Sequence, residues 1–127
     1  MVSLIDTNVI IRFLAADIEE LHRKSTEIFK RIYRGELQVE ILGAVLMEVL
    51  FVMDKGYKDP KSVTAKALQE ILMFRGVVNP DKHILIDALA IYAEKKIDFV
   101  DALICTKAKM ESYGKISFDK DVTHKCE

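Results

Sequence analysis

Short apolar, β-branched runs alternate with longer stretches of helical periodicity, and this alternation limits what the chain can fold into. The runs are Val2–Ile5, then Leu37, Val39 and Ile41, then Val77–Val78, and last Lys115–Phe118. Helical patterns fill the intervals. Asp17, with Glu20 three residues on, can cap a helix that carries Leu21, Ile28 and Ile32 and ends at Gly35. Val45 to Met53 is apolar enough for a largely buried helix. Asp59-Pro60 opens another through Val63, Ala67, Leu68, Ile71 and Leu72 to about Gly76. Asn79-Pro80 starts a helix with Ile84, Leu85, Ala88, Leu89 and Tyr92, and Asp98 starts the next, which stops near Gly114. Parallel neighbours need crossover connections of this length. The pattern therefore predicts an α/β fold, a three-layer α/β/α sandwich with a central parallel sheet, its first strand buried.

At 127 residues and 50% hydrophobic content, one domain spanning 1–127 has enough apolar surface for a core. Glu48 interrupts the longest apolar run, Gly43 to Met53, and no basic region leads into an uninterrupted apolar stretch at the start. The expectation is a cytoplasmic protein with no membrane partner. Two cysteines, Cys105 and Cys126, make no disulfide framework and no metal-ligand spacing, so each is read as a thiol. A net charge of −1 lacks the basic excess common in nucleic-acid binders. Any RNA contact must come from local clusters, such as Arg12, Lys24, Arg31 and Arg34, or Lys107 and Lys109, for which a solvated helix face is the simpler account.

Ligands of open parallel sheets gather at the carboxyl ends of strands. Two predicted strands end there in acid, at Asp6 and Asp119. Taken alone, each is accounted for as a helix cap or turn residue. Glu48 is harder to place as a surface charge, because Ala44, Val45, Phe51 and Val52 surround it at helical spacing and predict a buried face. In Asp98-Phe99-Val100-Asp101, capping accounts for Asp98, whereas Asp101 precedes the apolar "ALIC" and is expected to point inward. There the helix dipole favours its ionised form. Two carboxylates 4 Å apart repel by about 4 kcal/mol at a typical effective dielectric, so four in one cleft call for a cation. Without a His or Cys cluster, that donor set points to Mg²⁺, with Mn²⁺ able to substitute. His22, His83 and His124 are scattered and read as surface residues.

"LIDTNVIIRFL" (4–14), "VLMEVLFVM" (45–53), "IDFVDALI" (97–104) and "ISFDKD" (116–121) occur in the order and spacing of the PIN domain family, which the chain resembles over nearly its whole length. More narrowly, it resembles a VapC-type toxin ribonuclease of a type II toxin–antitoxin pair. The resemblance implies a Mg²⁺-dependent endoribonuclease whose acidic quartet is Asp6, Glu48, Asp101 and Asp119, with Asp6 and Asp101 the surest metal ligands. It implies auxiliary roles for Asn8, Asp98 and Ser117, structured RNA as substrate, cleavage to 5′-phosphate and 3′-hydroxyl ends, a homodimer, and a cognate antitoxin protein. Gly43-Ala44 and Val122 depart from the residue types usual in relatives, and neither belongs to the quartet.

Two other classes share parts of this pattern. An aspartate phosphatase expects a second Asp where Asn8 stands, and a phosphoreceiver expects paired acids upstream of Asp6, where the chain has none. The alternative within the family is a non-catalytic PIN-like module that binds RNA or protein, for which four mutually repelling acids serve no purpose.

Overall fold

Gly35 ends the longest helix because it can take a left-handed conformation without strain. The computed structural model describes residues 1–125, and there Gly35 has φ +80° while its N–H donates to the Ile32 carbonyl at 3.0 Å. The chain divides into two units, Met1–Pro80 and Asp81–Glu127.

In the first unit, β1 (Ser3–Leu4) pairs in parallel with β2 (Val39–Glu40), Ser3 opposite Val39 and Leu4 opposite Glu40. Val39 also forms a parallel bridge with Val77, donating to the Gly76 carbonyl at 2.8 Å and accepting from Val78 N–H at 2.9 Å. The predicted third strand thus shrinks to one bridged residue. The first strand is not buried throughout, since Leu4 is 67% exposed while Ile5 is buried. Mixed helix and strand around a small parallel sheet is the architecture.

Helices make the crossovers. Helix α1 (Thr7–Ala15) follows β1 at once, and α2 (Glu19–Arg34) leads to β2. Helix α3 (Gly43–Phe51) runs into a π-helical turn over Val52–Gly56, and α4 (Lys61–Leu72) leads to Val77. Ser25, Phe29 and Ile32 form the buried face of α2, whereas Leu21, expected to share it, is exposed. Its N-cap is Ile18, not Asp17, which turns instead toward Tyr57 and Arg12. Glu19 and Glu20 in its first turn and Arg31 and Arg34 in its last complement the helix dipole. Ile10, Ile32, Ile41, Leu46, Val49, Leu68 and Leu72 build the core of this unit.

The second unit packs α5 (Lys82–Lys95) against α6 (Phe99–Glu111). Leu85, Ala88, Leu89 and Tyr92 supply the inner face of α5, and the Tyr92 ring meets Phe99 edge-on at 6.4 Å. Asn79-Pro80 does not begin α5; Asn79 is committed instead to Ile41, just past the end of β2. Lys115–Phe118 forms no strand. Ile116 and Phe118 are 103% and 111% exposed, so the alternation in this segment finds no sheet to pair with. Cys105 is buried and disulfide-bonded, which corrects the reading of it as a thiol; Cys126 lies outside the described residues. His22 is likewise not a plain surface residue: half-buried, it lies with Nδ1 3.0 Å from the Arg12 carbonyl and stacks beside Phe13.

Candidate metal centre

Of the acids singled out from the sequence, all but Glu48 sit where a chain element begins or turns. In the first unit, Asp6 lies two residues past the end of β1 in extended conformation and is the N-cap of α1, its Oδ1 accepting from Thr7 N–H at 2.8 Å. Capping and an exposed position coexist here, because one oxygen suffices for the cap. Asn8 is exposed in the first turn of α1. Glu48 is also exposed, contrary to the expectation of a buried face. Helix α3 is apolar nearly all round, so its sequence does not mark one inner face. Leu46, Val49 and Leu50 go inward, and Met47, Glu48 and Phe51 do not.

The second unit brings Asp101 and Asp119 together and adds a residue that sequence reasoning missed, Asp121. One carboxylate oxygen from each of the three lies within 4.8 Å of the others. Asp101 is held by the first turn of α6 and is half-buried. Asp119 is set by a local turn in which its N–H donates to Ser117 Oγ at 2.9 Å. Its Oδ1 accepts from Asp121 N–H at 2.8 Å, and its carbonyl accepts from Val122 and Thr123 N–H, starting the π-helical turn Asp121–Lys125. Val122 anchors that turn, being 2% exposed with its carbonyl 3.7 Å from Cys105 Sγ on α6. The Asp-Lys-Asp spacing inside "ISFDKD" was the signal for Asp121.

Asp98 is the N-cap residue of α6, yet its side chain makes no capping hydrogen bond, so capping does not account for it. Burial, and then the charges of Asp119, Asp98 and Asp121, raise the Asp101 pKa above the ordinary aspartate value. Here burial and like charges outweigh the help expected from the helix dipole. Oxygens bound to one hard cation at about 2.0–2.6 Å lie within roughly 5 Å of one another, so the three carboxylates have the chemistry and the mutual spacing of an all-oxygen divalent site. A divalent cation would also remove the repulsion that raises Asp101.

The profile of the PIN domain family matches residues 3–127. The chain belongs to the PIN domain family. PIN domains are generally metal-dependent nucleases acting on RNA, and the acidic group on α6 and the following turn suits that chemistry. The match runs through both units, so this PIN domain is not confined to either. No curated protein and no solved structure matched the chain. Among the described residues, no helix is long and apolar enough to cross a membrane.

Proposed function

We propose that the chain is a Mg²⁺-dependent endoribonuclease, Mn²⁺ substituting, and the VapC-type toxin of a type II toxin–antitoxin pair. The observation that carries this reading is the meeting of Asp101, Asp119 and Asp121 within 4.8 Å, in a chain of a nuclease family. The reading takes 1–127 as a single three-layer α/β/α domain acting in the cytoplasm. It forms a homodimer, and a cognate antitoxin protein silences it.

In this reading Asp6 and Asp101 hold the ion, and Glu48 and Asp119 complete its shell directly or through water. Bound there, the ion supplies charge neutralisation at the scissile phosphate and activation of water. Glu48 or Asp119 orients the attacking water and accepts its proton. Asn8 orders the polar surroundings of Asp6, and Asp98 adds negative charge beside Asp101. Ser117 fixes the Asp119 backbone through the 2.9 Å hydrogen bond to its hydroxyl, which supports a positioning role. Attack by water, without a 2′-hydroxyl nucleophile, leaves 5′-phosphate and 3′-hydroxyl ends.

The test is incubation of purified protein with single-stranded and transfer RNA in Mg²⁺, Mn²⁺ or EDTA, beside Asp101→Asn. Metal-dependent cuts with 5′-phosphate ends, absent in the variant, are expected. Equal traces for both proteins, with no metal binding by calorimetry, would replace this reading with a non-catalytic module.

A further inference from the structure

The C-terminal half of α2 carries a feature the acidic site does not use. A groove of about 390 Å³ in the first unit is walled by Phe13, Phe29, Tyr33 and Phe74, with Lys30 and Arg34 also lining it. Every apolar side chain of the lining is aromatic, and no acid lines it. The rings brace one another. Phe13 stacks on Phe29 at 4.4 Å, and Phe74 meets Phe29 edge-on at 6.5 Å and Tyr33 at 5.1 Å. Tyr33 is nevertheless 65% exposed, a large aromatic surface left to solvent.

Charge is distributed unevenly along the same helix. Arg23 and Lys24 pair with Glu20, and Lys30 lies 3.4 Å from Glu27, whereas Arg31 and Arg34 form no ion pair among the described residues. Arg75, next to Phe74, adds a cation, for its side chain covers Gly35, where a Cβ would come within 2.8 Å of Arg75 Cδ. The helix dipole accounts for a basic last turn but not for Arg75 or for the exposed Tyr33 ring. In a chain with net charge −1, this is a local concentration of positive charge against an aromatic wall.

We propose that this groove binds single-stranded RNA, with an unpaired base stacked on Tyr33 and Phe74 and the flanking phosphates held by Arg34, Lys30 and Arg75. Stacking platforms beside cations are the chemistry by which single strands are held without sequence readout, because every base has a π-face and every nucleotide a charge. The cations beside the rings, with no acid in the lining, suit a polyanion. The inference rests on the RNA-nuclease reading and specifies how that substrate is held.

Fluorescence anisotropy with a labelled single-stranded RNA, in EDTA so that binding is read without cleavage, tests it. Tyr33→Ala is expected to weaken binding about tenfold and Tyr33→Phe to preserve it. Arg34→Gln is expected to lower the slope of log Kd against log salt concentration by about 0.7. Circular dichroism melting identifies folded variants, and a duplex of the same sequence is expected to bind less tightly than the single strand. Wild-type affinity in folded Tyr33→Ala and Arg34→Gln, or equal affinity for the duplex, overturns the proposal. So does a groove that takes an acidic peptide in place of RNA. RNA binding that depends on Tyr33 without metal-dependent cleavage would retain the groove and remove the nuclease. Cleavage with Tyr33-independent binding would do the reverse.

Discussion

Asn79 holds Ile41 by both of its backbone polar groups. Its Oδ1 accepts from Ile41 N–H at 2.8 Å, and its Nδ2 donates to the Ile41 carbonyl at 2.7 Å, 38 residues away in sequence. Both residues are buried, so the side chain acts as a substitute strand at the end of β2, where the parallel ladder has stopped. Asn79→Ala leaves a buried donor and a buried acceptor without these partners and is expected to cost about 2–4 kcal/mol. Urea denaturation measures it, and a loss below about 0.5 kcal/mol would mean that water replaces the amide.

Gly76 is required by close approach rather than by its own backbone angle. A Cβ there would lie 2.1 Å from the Leu37 carbonyl oxygen and 2.6 Å from that of Ile32, both backbone atoms that a rotamer change cannot move. Gly76→Ala is expected to destabilise by about 2 kcal/mol or more. Gly114, with nothing within 4 Å of an added Cβ, is the control, and Gly114→Ala should stay within about 0.5 kcal/mol of the parent. Comparable melting temperatures for the two variants would contradict this account.

The Arg12, Asp17 and Tyr57 group predicts a pH dependence with two flanks. Tyr57 Oη donates to Asp17 Oδ2 at 2.6 Å, and Arg12 bonds Asp17 Oδ1 at 3.0 Å. The Tyr57 hydrogen bond, assisted by Arg12, lowers the Asp17 pKa below 3.8, and the same bond raises Tyr57 above 10.0. A lowered carboxyl contributes stability that is present above its unfolded pKa and is lost as pH falls through the folded one. A raised phenol contributes stability that is present below its unfolded pKa and is lost as pH rises through the folded one. Tyr57→Phe should therefore flatten both the acid and the alkaline limb of stability against pH, read from urea midpoints. Parallel profiles for parent and variant would count against the coupling.

Asp101 ties stability to metal. With no cation bound, burial and the neighbouring acids disfavour its ionised form, so the folded state takes up its proton more readily than the unfolded chain. That penalty is absent below the ordinary carboxylate range and grows as pH rises through the folded pKa. Asp101→Asn is expected to melt higher than the metal-free parent at pH 7. Mg²⁺ should raise the melting temperature of the parent, by the equivalent of about 2.7 kcal/mol at a hundredfold excess over Kd, and leave the variant nearly unmoved. An equal Mg²⁺ response in both proteins would take Asp101 out of the ion's shell.

Much of this molecule was legible before its structure. Periodicity marked the helices carrying Ile32, Leu68 and Leu89, Asp98 and Gly114 bracketed the one carrying Cys105, and the glycine at position 35 marked where α2 ends; the family motifs singled out Asp101 and Asp119 as two of four acids, and the structure sets these two beside Asp121. These are local properties, set by 3.6-residue spacing, backbone freedom and residue chemistry. What tertiary structure alone decided was exposure and partnership. Glu48 sits in an apolar run and faces solvent, Leu4 leaves a strand uncovered, and Asp17 abandons a cap for Tyr57, 40 residues away. Lys115–Phe118 carries a strand pattern with no ladder to join. Sequence spacing records which side chains share a face, but whether that face is buried depends on what packs against it, and that partner comes from elsewhere in the chain.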